Sequence, residues 1–378
     1  MLKSEPYRDR RTIQALVRTI SEQARDLPRP LRVMEVCGTH TMAIHRHGLK
    51  RILEDAGISL VAGPGCPVCI TPNALHEAAI GFVAGRRDVV LATFGDMTRV
   101  PTPRGALLNT APERGSQVRI VYSPLESLDL ARGNPGKEVV FFGAGFETTI
   151  PAIAVTIQRA AKERLKNFSV LSAFWLIPPP LRAILEAGEA RISGFLYPGH
   201  VAAIIGPQAF GFVAREFKRA GAIAGFEPAD ILLGLLSVIG QLKAHQPAVA
   251  NVYARVVGPE GNPSARAVME SVMEPADAVW RGLGRIPLSR LRLRPAYAGF
   301  DAERKLGLTL NPVEDDLPGC RCGDVLKGLI EPPACRLFGT RCSPDLPLGP
   351  CMVSMEGSCL VFYKYGRDIG PGKKGRKP

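Results

Sequence analysis

The chain has 378 residues, 46% of them hydrophobic and 22% charged, which is enough apolar surface for two or three packed domains. Its N-terminus, MLKSEPYRDRRTIQALVRTI, is charged from the start and has no uninterrupted apolar run, so the expectation is a cytoplasmic protein with no export signal and no membrane span. The net charge of +13 does not mark a nucleic-acid binder, because Lys and Arg are scattered except in the terminal GKKGRKP, and neither a zinc finger nor an RNP-like aromatic motif accompanies them. A solvated basic surface, or a docking face for an acidic protein partner, accounts for the charge.

Residues 11–26 have the spacing of an amphipathic helix, and after Pro28 and Pro30 the run LRVMEV (31–36) reads as a strand. Short apolar runs recur at 59–63, 88–94, 117–123, 138–145, 168–177, 193–199 and 221–226, with helix-like stretches between most of them. That alternation is the pattern of parallel sheets covered by helices. The expected fold class is therefore α/β, with two small parallel-sheet domains at 28–117 and 118–240. A loop-rich helical C-terminal domain at 241–378, joined by the N-terminal helix 8–27, completes the expected organisation. From about residue 245 the pattern loosens into a strand-like piece and one or two helices.

The tetrapeptide AGFE occurs twice, at Ala144–Glu147 and Ala224–Glu227, each time after an apolar run and before a helix-like one. An acidic residue in a helix's first turn suits the dipole, so the echo is either repeated turn chemistry or a site at the carboxyl edge of a sheet. No phosphate-binding GxxxxGK[ST] loop is present, and GAGFETT lacks the third glycine of a dinucleotide fingerprint.

Three motifs stand at strand ends. In EVCGTHT, Cys37 and His40 are three residues apart and can face one ligand if a helix starts there; an imidazole or a helix N-terminus lowers a thiol's pKa. Cys37 is then a nucleophile or a metal ligand, against the plainer reading of a buried cysteine with a satisfied histidine. His45 and His47 read as surface residues. In GPGCPVC, glycines and prolines hold Cys66 and Cys69 as a stiff C-x-x-C pair, either a redox dithiol or half of a metal site. The third group is polar: Asp96, Arg99, Glu147, Thr148, Thr149 and His200, from TFGDMTRVP, GFETT and YPGHV, suggest a cleft between the two α/β units.

Six of the nine cysteines fall between Cys320 and Cys359 with the spacing C-x-C-x12-C-x6-C-x8-C-x7-C, in a segment broken by prolines and glycines. Zinc favours paired C-x2-C knuckles, which are missing, and a disulfide scaffold suits small secreted domains better than a chain of this length. Four thiolates gathered from a long loop can hold an iron-sulfur cube. Four ligands leave two cysteines over; on an extended C-x-C step the side chains point to opposite sides, so one sulfur would ligate while its neighbour pairs elsewhere.

EVCGTHT, GPGCPVC, TFGDMTRVP, GFETT, YPGHV followed by IIG, and the six-cysteine tail ending in YKYG together resemble the HypD family of nickel-iron hydrogenase maturation factors. The resemblance covers nearly the whole chain. It implies a scaffold for assembling the Fe(CN)2CO unit, in complex with a HypC-type chaperone and with cyanide delivered by a HypE-type donor. On this resemblance Cys37, with His40 beside it, would bind an additional iron carrying cyanide and carbonyl ligands. Cys66 and Cys69 would be the redox dithiol, and Glu147 and His200 would belong to the site. Cys320, Cys335, Cys342 and Cys359 would hold a 4Fe-4S cluster next to a Cys322–Cys351 disulfide. The competing reading is an iron-sulfur-dependent protein disulfide reductase acting through the C-x-x-C pair.

Overall fold

The computed structural model describes residues 5–366 other than 85, 111–116, 309, 311–312 and 314–316, so the basic GKKGRKP run lies outside the described residues. The strands are β1 (Leu31–Glu35), β2 (Ile58–Ala62), β3 (Val89–Thr93), β4 (Gln117–Ile120), β5 (Glu138–Gly145), β6 (Phe168–Phe174), β7 (Gly194–Pro198), β8 (Ala220–Ala224), β9 (Val249–Asn251), β10 (Met273–Trp280) and β11 (Gly284–Leu293). The α/β expectation holds: two parallel sheets form, with the orders β2-β1-β7-β8-β9 and β4-β3-β5-β6, and β10 and β11 make an antiparallel hairpin. Runs such as VVLAT (β3) and FSVLSAF (β6) are buried along their whole length, as strands covered on both faces must be.

The grouping of the strands differs from the expected contiguous division at residue 117. β1 and β2 pair with β7 and β8, while β3 and β4 pair with β5 and β6. The second sheet is therefore an insertion into the first. Pairing is decided by which apolar surfaces meet, and that carries no local signature in the chain. The N-terminal helix (Arg10–Gln23) packs on the helix Pro228–Ala244, Ile20 and Ala24 join the cluster formed by Leu232 and Leu235, and Arg8 pairs with Glu227. It belongs to the first sheet, not to the cysteine-rich tail.

In the C-terminal third, β9 and the helix Pro263–Val272 match the expected strand-like piece and first helix, but the β10–β11 hairpin stands where the sequence allows a second helix. In MEPADAVW every residue but Pro275 is compatible with a helix, yet Met273, Ala278 and Trp280 turn inward and Trp280 donates its indole N–H to Ser289 at 2.8 Å. Tertiary packing overrides propensity there. One apolar cluster runs through both sheets and into the tail: it contains Met34, Phe142, Trp175, Phe195 and Trp280 together with Cys66, Cys69, Cys322, Cys342, Cys351 and Cys359. No helix among the described residues is long and apolar enough to cross a membrane.

Candidate metal and thiol site

A parallel sheet delivers the C-terminal ends of its strands to one edge. The first sheet's order changes direction between β1 and β7, and the crevice outside such a switch is where open α/β sheets bind ligands. Cys37 follows β1, the C-x-x-C loop follows β2, His200 follows β7, and Gly225 and Phe226 follow β8. Motifs far apart in sequence are thereby gathered at one edge.

The first two loops interlock. Gly38 donates its N–H to the Gly65 carbonyl at 3.1 Å, and Gly63 donates to the Glu35 carbonyl at 2.8 Å. A Cβ on Gly65 would lie 2.3 Å from the Cys37 nitrogen, so the approach requires glycine. Cys66 caps the short helix Pro67–Ile70, and its sulfur is bonded to that of Cys69 across a Cα separation of 5.2 Å. The pair is buried, at 3% and 0% exposure.

Cys37 sits in extended backbone at the N-cap of the helix Gly38–Arg46 and donates its N–H to Glu35 Oε2 at 3.0 Å. Burial, with the Glu356 carboxylate adding to it, pushes the thiol up to about 12, against the pull of the His40 and Thr39 backbone N–H groups. The expected activation of this thiol by the helix start is outweighed by desolvation. His40 does not assist it through its ring: Nε2 lies 2.8 Å from the Gly225 carbonyl, which makes Nε2 the protonated nitrogen and leaves the buried Nδ1 without a partner. Burial holds this imidazole down to about 4. The exposed His200 ring stacks on Phe226 at 3.9 Å, and the His40 ring meets the same phenyl ring tilted, at 4.6 Å.

Three residues of this crevice were not singled out by the sequence. Glu35 is buried, accepts from both Cys37 and the Thr41 hydroxyl, and is pushed up by burial to about 8; a carboxylate at the inner end of an apolar strand was its signal. Phe226 lay inside the repeated AGFE. Glu356 had no signal: it comes from the tail, accepts the Thr39 hydroxyl at 3.0 Å, and a Cβ on Gly38 would fall 2.3 Å from its own Cβ.

The tail closes over the crevice from several directions. Met355 donates its N–H to Asp96 at 3.3 Å, beyond β3 in the second sheet. The helix Ser358–Tyr365 packs on Gly38–Arg46, with Phe362 4.2 Å from the His45 ring, so His45 is buried rather than at the surface; His47 is exposed as expected. Lys50, also buried, donates to the Leu60 carbonyl at 3.0 Å and pairs with Glu331 of the tail at 2.5 Å.

The remaining polar candidates do not assemble in one cleft. Asp96 serves the tail. Glu227 caps the helix Pro228–Ala244, the plain reading of the AGFE echo, whereas Glu147 is buried, accepts the Ile177 N–H at 3.0 Å and lines a separate cavity that includes neither Asp96 nor His200. Thr149 is the N-cap of the helix Ile150–Lys162.

In the tail, Cys320, Cys335, Cys342 and Cys359 line one small cavity together with Cys322, between Val325, Leu337 and Met352. An all-sulfur donor set in an apolar wall fits an iron-sulfur cluster, although as they stand no three His, Cys, Asp or Glu side chains among the described residues are in metal-coordinating geometry. Contrary to the extended C-x-C expectation, the Cys320 and Cys322 sulfurs meet at 3.3 Å, because a helix begins at Cys322. Cys322 and Cys351 are free thiols rather than a disulfide. Hydrogen bonds to Cys320 and Cys351, together with burial, hold the Cys322 thiol well above its usual range. Gly349 lets these sulfurs approach: a Cβ there would lie 2.6 Å from Cys322 Sγ and 3.0 Å from Cys320 Sγ.

Residues 11–366 match the family model for HypD, described as the hydrogenase formation hypA family. The chain belongs to the HypD family. The hydrogenase maturation factor HypD of Rhodobacter capsulatus is 44% identical over 342 residues, covering 89% of this chain and 90% of that one. The HypD proteins of Azotobacter vinelandii and Escherichia coli K12 are 43% identical over 369 residues and 42% over 366, covering 96% of this chain in both cases and 96% and 97% of their own lengths. The HypD match thus spans both sheets and the tail, including every cysteine described above.

Proposed function

We propose that this chain is a cytoplasmic scaffold and redox protein for assembly of the Fe(CN)2CO unit of nickel-iron hydrogenases, working with a HypC-type chaperone and receiving cyanide from a HypE-type donor. The observation that carries this reading is the interlock of the Cys37 loop with the loop that carries the Cys66–Cys69 disulfide, at the switch point of the first sheet, with the tail thiols in the same apolar cluster as that disulfide. The iron unit is the cargo. Cys37 offers it a soft sulfur ligand and leaves the outer side free for a sulfur of the partner. A thiol held near 12 stays protonated until metal displaces the proton, so the empty scaffold keeps Cys37 out of stray thiol chemistry.

Cys66 and Cys69 interconvert between disulfide and dithiol with two electrons and two protons. Their helix touches the turn Pro350–Met352 that carries Cys351, which gives the tail a short route to them. Cys320, Cys335, Cys342 and Cys359 would hold a 4Fe-4S cluster, which when bound supplies single electrons. The disulfide-reductase alternative needs a protein substrate to reach Cys66 and Cys69, and their burial disfavours it.

The test is the infrared spectrum and iron content of the chain purified with its small partner. Beyond the cluster, the scaffold carries an extra iron with cyanide and carbonyl bands; Cys37→Ala keeps the fold and the Cys66–Cys69 disulfide and loses that iron, its bands and hydrogenase maturation in cells. Bands at full strength in Cys37→Ala would sink the assignment and move the iron site to Cys66 and Cys69.

A further inference from the structure

The cavity behind Glu147 takes no part in the chemistry above. It is half open to solvent and holds about 350 Å³, and Leu176, Ile205, Met269, Met273 and Leu291 form much of its wall. That is the size and lining of a small-molecule site. It lies against the helix Pro263–Val272 and both strands of the β10–β11 hairpin.

Four charged side chains interrupt the apolar wall, Glu147, Arg266, Glu270 and Arg294, of which Glu270 is exposed to solvent. Glu147 is 1% exposed; its Oε1 accepts from Ile177, and its Oε2 has no hydrogen-bond partner. Arg266 has a buried Nε, also without a partner. The other guanidinium on this wall, Arg294, is already engaged with the Glu270 and Met273 carbonyls. A buried polar atom left unpaired is destabilising, so two of them on one wall call for an explanation.

The character of the two groups narrows the ligand. Burial pushes Glu147 up to about 7, so its acid form is on hand as an O–H donor, and Arg266 is a permanent N–H donor. Both therefore suit an acceptor. A cation would be repelled by Arg266, and a plain hydrocarbon would leave both groups unmet. A carboxylate has two acceptor oxygens and matches a guanidinium in shape and charge.

We propose that this cavity is a binding site for an apolar carboxylate, its aliphatic body lying against Met269 and Leu291 and its oxygens set against the Arg266 guanidinium and the Glu147 carboxyl. Two sources share this chemistry, a free aliphatic acid and the C-terminal carboxylate of a polypeptide ending in an apolar residue.

The full chain is titrated calorimetrically with hexanoate, N-acetyl-leucine, N-acetyl-leucinamide, and a tripeptide ending in leucine with a free or an amidated terminus. The expected result is binding of the carboxylates, with each amide weaker by about tenfold or more, the scale of one charge-assisted contact. Arg266→Gln should abolish the preference for carboxylate over amide while leaving the melting temperature unchanged. Met269→Trp should fill the space and stop binding altogether. Arg182→Gln, which removes an arginine that pairs with Glu216 instead, should change nothing. Tighter binding of the free-terminus tripeptide than of hexanoate assigns the site to a polypeptide terminus, and the reverse assigns it to a small acid. Equal affinity for acid and amide, no binding of any carboxylate, or an unchanged preference in Arg266→Gln would each overturn the proposal.

Discussion

Gly38 and Gly65 share a backbone hydrogen bond of 3.1 Å, and through it the loop that carries Cys37 and the loop that carries Cys66 and Cys69 are one structural unit. The contact tolerates no side chain, since a Cβ on Gly65 would meet both the nitrogen and the Cα of Cys37 at 2.3 and 2.5 Å.

Gly65→Ala is accordingly expected to push the two loops apart. Overpacking of this kind costs about 1–3 kcal/mol, which thermal or denaturant unfolding would register. The functional signature is specific: iron carrying cyanide and carbonyl should be lost although every cysteine is intact. Retention of both stability and infrared bands would mean that the interlock is dispensable.

The buried Glu35 makes stability fall as pH rises. Its folded pKa of about 8, against an ordinary 4.5, means that the native state holds the proton more tightly than the unfolded chain. The stabilisation is complete below about pH 4.5 and is lost as pH climbs to about 8, a swing of order a few kcal/mol. Glu147, at about 7, acts in the same direction. His40, His45 and His76, held down to about 4, 3 and 3 by burial, act oppositely and subtract stability below their ordinary 6.5. Denaturant midpoints at several pH values should show Glu35→Gln with a visibly smaller decline between pH 5 and 8; an unchanged slope would show that Glu35 is not protonated in the native state.

Thiol counting tests the dithiol. In the apo chain the nine cysteines divide into one disulfide and seven free thiols. Denatured protein should titrate seven thiols before reduction and nine after it, while Cys66→Ser and Cys69→Ser should each titrate eight in both states. An increase on reduction in either variant would place the disulfide elsewhere.

The tail assignment separates ligands from neighbours. After reconstitution with iron and sulfide, Cys335→Ala or Cys342→Ala should abolish the brown absorbance and most bound iron, because removing one thiolate opens an iron site. Cys322→Ala should keep both. This comparison is demanding, since Cys322 lines the same cavity and touches Cys320; colour lost only in Cys322→Ala would exchange the two roles.

Each apolar run read as a strand is one, because Val, Ile and Phe in short blocks between turn residues leave little alternative. Which strands pair was not legible: nothing within LRVME says that its neighbours will be Ile58–Ala62 and Gly194–Pro198. The cysteines and motif residues of the crevice could be picked out by type and position, but their electrostatics could not. Cys37 looks activated beside His40 in one dimension; in three, desolvation and Glu356, 319 residues away by sequence number, reverse the sign. The same holds for Cys320 and Cys322, whose sulfurs converge only because a helix starts between them.

The insertion of one sheet into the other also sets a timetable. A chain emerging from the ribosome displays β1, β2 and the cysteines between 37 and 69 first, but the open flank of β1 stays unpaired until β7 arrives at Gly194–Pro198, with the whole second sheet synthesised in between. Phe226 and then Glu356, the residues that wall and close the crevice, come later still. Non-local pairing of this kind is slow and cannot begin early. A half-made chain therefore has its thiols but no crevice around them, and the wall that shields Cys37 exists only in a finished molecule.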